Sequence, residues 1–128
     1  MVHSVDRSFY CGKAERISCT DEITLSVLLE CNVSGEASKH GFAAAGWEQD
    51  TVVRQALRQT FATIAALPGL KVSGLMTMAP FVDDNLVVRS TFASLRNLRE
   101  HLRDSVPEAD WQHLSMGMSG DFEVALEE

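Results

Sequence analysis

Four apolar runs recur along this chain, and each is followed by a stretch of different character: helical spacing of apolar residues, or a small-residue turn leading into such spacing. Residues 2–5, 25–33, 72–78 and 111–116 read as strands, and the second of these is nearly continuous in apolar side chains, as a strand covered on both faces must be. Between them, a weakly periodic helix is expected from about Asp6 to Ser18, with Gly12 interrupting it. Asp50 is placed to cap a helix with Val53, Leu57, Phe61, Ile64 and Leu67 on one face, and Pro68-Gly69 stops it. A further helix carries Val88, Phe92, Leu95, Leu98 and Leu102 on one side and ends at Ser105-Val106-Pro107. Strand-helix alternation of this kind joins parallel neighbours by right-handed crossovers. The expected fold class is therefore α/β, a partial (β/α) TIM-type barrel of about four consecutive βα units with parallel strands, in one domain over residues 1–128. A flat doubly wound sheet is the alternative. Gly74, inside the third strand, permits the close backbone approach that a crowded barrel demands.

A complete eight-unit barrel needs about 250 residues, and the 128 here, 45% of them hydrophobic, are half of that while still able to bury a sizeable core. The net charge of −7, from 18 acidic and 11 basic residues, argues against a nucleic-acid or anionic-membrane surface. No apolar run reaches the roughly 18 residues a bilayer span requires, and Met1-Val2-His3-Ser4 lacks the regions of a signal peptide. Cytoplasm is the expected compartment. Cys11, Cys19 and Cys31 are odd in number and lack CxxC spacing, so reduced, unpaired thiols are expected. His3, His40, His101 and His113 show neither HxH nor HExxH spacing, so no metal site is expected. Gly-x-Ser-x-Gly is absent as well.

Chemistry concentrates after the last apolar run. His113-Leu114-Ser115-Met116-Gly117-Met118-Ser119-Gly120-Asp121 passes from strand into a turn of small residues, and Phe122 onward resumes a helix-like pattern. Backbone N–H groups of Met116, Gly117, Met118 and Ser119, with the hydroxyls of Ser115 and Ser119, make a cradle suited to a phosphate monoester. The plainer reading is an ordinary βα turn capped by Ser119. Asp121 and Glu123 suit the first turn of a helix but repel a nearby phosphate.

The same residues carry a resemblance. Leu114-Ser115-Met116-Gly117-Met118-Ser119 with Asp121-Phe122-Glu123 resembles the phosphate-loop signature of the pyridoxal phosphate homeostasis proteins, the YggS-like relatives of the alanine racemase N-terminal barrel. Asn32-Val33-Ser34-Gly35-Glu36 through Ser38-Lys39-His40-Gly41-Phe42, then Gly74-Leu75-Met76-Thr77-Met78-Ala79-Pro80, resemble that family's internal signatures in the same order, and His3-Ser4-Val5-Asp6 resembles the strand before them. The resemblance implies a barrel, a bound pyridoxal 5′-phosphate, and a carrier role in its homeostasis. It covers essentially the whole chain but only the later part of the family. Neither the early strand bearing the cofactor lysine nor the final Arg-x-Gly-Thr strand has a counterpart here, and Lys13, Lys39 and Lys71 match no cofactor lysine. Lys39 lies in the Ser-Lys-x-Gly-Phe loop, where a structural or surface role is expected.

By that resemblance, Ser115, Met116, Gly117, Met118 and Ser119 hold the phosphate. Met76 or Met78 lies beside the ring, unless both fill core, and Asn32 at a strand end bonds the ligand or fixes its own turn. Two other readings stay open. One is a structural half-barrel working by self-association or with a complementing N-terminal half, since open sheet edges favour pairing. The other is a remnant of a pyridoxal phosphate-dependent racemase-like enzyme, for which the chain lacks the catalytic lysine.

Overall fold

The computed structural model describes residues 2–5, by their backbone path, and residues 24–128. The helix expected from Asp6 to Ser18, and with it Cys11, Lys13 and Cys19, lies outside the described residues. Within them the elements are β1 Val2–Val5, β2 Leu25–Asn32, β3 Phe42–Ala43, α1 Thr51–Ala65, β4 Leu70–Met76, α2 Asn85–Ser105, β5 His113–Ser115 and α3 Phe122–Glu127. The sheet runs β1-β2-β4-β5 with β3 on the end of β2, and every pairing is parallel. Parallel neighbours need crossovers, and α1 and α2 supply them between β2 and β4 and between β4 and β5. Successive βα units in this order make a partial (β/α) barrel.

Local chemistry sets the helix ends. The Asp50 carboxylate accepts from Val52 N–H at 2.8 Å and Val53 N–H at 3.3 Å, and the Asp84 carboxylate accepts from Leu86 N–H at 2.9 Å, so both long helices start on aspartate caps. The Trp111 indole N–H donates to the Val106 carbonyl at 2.8 Å, satisfying the exit of α2.

Strand boundaries differ from the sequence expectation. The third strand begins at Leu70 rather than Val72 and stops at Met76: pairing starts at Leu25 with Leu70, and Leu25 N–H reaches the Gly69 carbonyl at 2.9 Å. The ladder thus takes up residues directly after the Pro68-Gly69 turn, and Met78 falls beyond the sheet, 36% exposed. The fourth expected strand shrinks to His113–Ser115 because Trp111 is spent on the end of α2. β3 was not anticipated; two residues paired to Cys31 and Asn32 are too short to show a period.

β2 divides its side chains between two faces. Val27, Leu29 and Cys31 join Leu57, Phe61 and Ile64 of α1 and Leu95, Leu98 and Leu102 of α2 in one buried cluster. Phe61 sits at its middle, edge-on to Phe42 with centroids 5.1 Å apart and 6.1 Å from Trp111. Leu28 and Glu30 alternate with these residues and so face the other side of the sheet. Gly74 is required where β5 meets β4: a Cβ there would lie 1.9 Å from the His113 carbonyl oxygen.

Candidate functional site at the C-terminal edge

Parallel strands bring their C-terminal ends to one edge, where barrels of this type place ligands. β2 ends there at Asn32, β4 at Met76 and β5 at Ser115. Glu30 is in register with Met76, and Met76 with Ser115. Their preceding neighbours Leu29, Leu75 and Leu114 pack with the helix-side core. Glu30, Met76 and Ser115 therefore form a row on the opposite face, across three strands. Sequence reasoning singled out Met76 and Ser115 but passed over Glu30, a buried carboxylate inside an apolar run. The available signal was period two, which puts Glu30 on the same face as Asn32.

The loop after β2 closes on its own asparagine. Asn32 Oδ1 accepts from Gly35 N–H at 2.9 Å and from the Ser34 hydroxyl at 3.3 Å, while its amide NH₂ donates to the Glu36 carbonyl at 2.9 Å. The loop then returns over β2 at Gly41, where φ is +107° and a Cβ would lie 2.7 Å from the Glu30 carbonyl oxygen. Lys39 ties it to the neighbouring loop, its ammonium donating to the Ala79 carbonyl at 3.2 Å. Lys71 is at the far end of β4, 3.4 Å from the Asp110 carboxylate. Both described lysines are thus engaged away from the row.

After Ser115 the chain bends through the small-residue segment. Gly117 has φ +91°, and a Cβ there would lie 2.7 Å from the Ala125 Cβ, so glycine lets α3 pack down on the bend. Met118 N–H donates to the Asp121 carboxylate, and the Met118 carbonyl accepts from Asp121 N–H at 3.1 Å and Phe122 N–H at 2.9 Å. Asp121, not Ser119, occupies the cap position of α3, and its carboxylate points back into the bend rather than capping the helix. One N–H of the expected cradle is therefore held by an internal carboxylate. Ser119 is exposed; Ser115, Met116 and Gly117 are half-buried, and Met118 is 65% exposed. Of the five expected residues Ser115 stands in register with Met76 and the other four continue from it into the bend, with Asn32 two strands away along the same edge.

Charge fastens the segment from outside. Arg89 of α2 pairs with Glu127, and at 3.0 Å with Glu128, which also pairs with Arg96. Hydrogen bonds from Arg89 to Glu127 and Glu128 push its guanidinium pKa further up. On the core face, burial and then the nearby Glu30 charge push the Cys31 thiol well above the ordinary cysteine range, so it stays a neutral thiol, donating to the Leu29 carbonyl. Among the described residues no group of three His, Cys, Asp or Glu is placed to hold a metal ion, and no helix is long and apolar enough to cross a membrane.

No protein-family model matches the chain. A pyridoxal phosphate homeostasis protein of Aquifex aeolicus is 38% identical over 128 residues, all of this chain and 51% of that protein. The chain spans about half the length of this and other curated relatives of the same name. PipY of Synechococcus elongatus, solved without PLP, superposes with a TM-score of 0.84 at 25% identity over 98% of this chain and 54% of PipY. Its PLP-bound form gives 0.79 at 25% identity, over 98% and 53%.

Proposed function

We propose that this chain, a relative of the pyridoxal phosphate homeostasis proteins, forms one partial-barrel unit of a cytoplasmic pyridoxal 5′-phosphate site and serves to hold that cofactor rather than to catalyse on it. One observation carries the reading: Met76 and Ser115 stand in register at the sheet's C-terminal edge, and the Gly117 bend follows at once. In a chain so similar to a PLP-bound protein, that edge is where a phosphorylated ring would lodge. Ser115, Met116, Gly117, Met118 and Ser119 would hold the phosphate, with Met76 beside the ring and Asn32 shaping the opposite loop. Bound pyridoxal 5′-phosphate supplies an aldehyde able to capture primary amines. This chain's own residues bind and orient it. Met118 N–H becomes a phosphate donor only when the Asp121 carboxylate turns away, which keeps the affinity low. With Lys39 bound to Ala79 and Lys71 at the far end of β4, retention is reversible.

The test is a titration with pyridoxal 5′-phosphate, pyridoxal and inorganic phosphate, followed by absorbance and calorimetry. Binding of the phosphorylated form, competition by phosphate and failure of pyridoxal are expected, and Ser119→Glu should abolish binding without lowering the melting temperature. Equal binding of pyridoxal, or undiminished binding by Ser119→Glu, would overturn the phosphate assignment. Borohydride trapping mapped to Lys39 would overturn the reversible mode. The outer strands β1 and β5 favour a second reading, association with another copy or with a chain supplying further strands. Light scattering with and without a separately expressed N-terminal half of a full-length relative tests it, a monomer in both cases ruling it out.

A further inference from the structure

The loops that follow β2 and β4 enclose, with the first turns of α2, a groove of about 400 Å³. Ser34 and Glu36 line it from the first loop, and Ser90 and Thr91 from the helix. Glu36 Oε2 is buried and has no hydrogen-bond partner, the one buried side-chain oxygen or nitrogen so placed among the described residues. The three hydroxyls commit their protons elsewhere: Ser34 to Asn32 Oδ1 at 3.3 Å, and Ser90 and Thr91 to the Val87 carbonyl at 2.8 and 2.9 Å. Each is left with oxygen lone pairs able to accept. Among the described residues no lysine, arginine or histidine lines it, and Lys39 is occupied by Ala79. Its polar groups are therefore acceptors, one of them ionisable, beside an apolar wall of Val33, Val82 and Val87.

A carboxylate partly withdrawn from water without a donor is unfavourable, and a cation with several N–H groups in the groove that Glu36 lines offsets its charge. We propose that this groove binds a primary ammonium ion carrying a short apolar chain, with Glu36 as its counter-ion and the Ser34, Ser90 and Thr91 oxygens accepting its remaining protons. The donor set suits an organic ammonium, which has three N–H groups and an alkyl body. It does not suit a divalent metal, which needs about six oxygen ligands. The site stands on the Glu36 groove alone and does not depend on how the phosphate bend is read.

The experiment titrates the full chain, free of pyridoxal 5′-phosphate, with n-butylammonium and with butyrate, followed by amide NMR. Saturable shifts at Ser34, Gly35 and Glu36 and at Ser90 and Thr91 are expected with butylammonium and not with butyrate. Glu36→Gln should weaken binding at least tenfold. Val82→Lys, at a rim position 47% exposed, places an ammonium over the groove from within the chain and should block the probe while leaving the fold intact. If Glu36→Gln does not fold, Val82→Lys decides alone. Equal binding of butyrate, shifts confined to other regions, or wild-type affinity in either folded variant would overturn the site, as would a structure at saturating probe with only water on Glu36.

Discussion

Around β2 and β4 the chain is held by apolar burial shared among many side chains: Val27, Leu29, Phe61, Leu95, Leu98 and Leu102 are all fully enclosed. At the β5 edge, a three-residue strand and a six-residue helix without a buried residue are held by two glycines that admit close approach and by arginine-glutamate pairs on the surface. The first arrangement tolerates little and adapts to nothing. The second rests on a few positions that can be altered singly, and it is the region that carries the Gly117 bend.

Removing the side chain at the middle of the core should have the largest effect. Phe61→Ala deletes a ring packed on Phe42 and Trp111 and should cost about 3–5 kcal/mol in urea denaturation. A loss below about 1 kcal/mol would mean that the helix-side cluster is not what holds the sheet. Gly74→Ala comes next. Its methyl would collide with the His113 backbone, so β5 must shift away from β4 at a cost of about 1–3 kcal/mol. Amide shifts should then change at His113, Leu114 and Ser115 far more than at Val27 or Leu29. Uniform changes across the sheet would erase the distinction between centre and edge.

The centre was legible in the sequence because it obeys periodicity. Val53, Leu57, Phe61 and Ile64 mark one face of α1, Leu95, Leu98 and Leu102 one face of α2, and Asp50 announces the start of α1, whereas the Asp84 cap of α2 was not read. The candidate site was legible in part. Ser115 and the small-residue bend stood out by type and spacing, Met76 through the family resemblance, and Gly74 by its place in a strand. What escaped was set by contacts between segments distant in sequence or by local choices among equals. Glu30 owes its place in the row to strand register, Lys39 its partner to the loop of another strand, and Asp121 took the position that Ser119 was equally able to fill.

Cys31 offers a sharper probe of how dry the centre is. Burial raises its folded-state pKa above the unfolded value, so the folded protein keeps a proton that the unfolded chain releases at high pH. Stability from this group is complete below about pH 8.5, where an unfolded cysteine ionises. Above that it should fall by about 1.4 kcal/mol per pH unit. Comparison of the protein with Cys31→Val at pH 7.5 and 9.5 isolates the effect, since Cys11 and Cys19 are common to both. An identical pH dependence in the two proteins would show that solvent reaches the core face of β2.

The smallest expected effect belongs to the edge, and it separates charge from packing there. Arg89 and Arg96 approach Glu127 and Glu128 at the surface, where both guanidinium groups are more than a third exposed, so salt should weaken the attachment. Between about 0.1 M and 1 M salt the screening length falls from roughly 10 Å to roughly 3 Å. Amide exchange at Val124 and Ala125 should accelerate several-fold over that range, while exchange at Phe61 and Leu98 stays constant, because apolar burial carries no charge to screen. Arg89→Gln should reproduce at low salt what high salt does to the native chain, and it should make α3 insensitive to further salt. Exchange in α3 that ignores both salt and Arg89→Gln would assign its attachment to the glycine-permitted contact of Gly117 with Ala125 instead. The Gly117 bend would then be as firmly fixed by shape as the centre of the sheet.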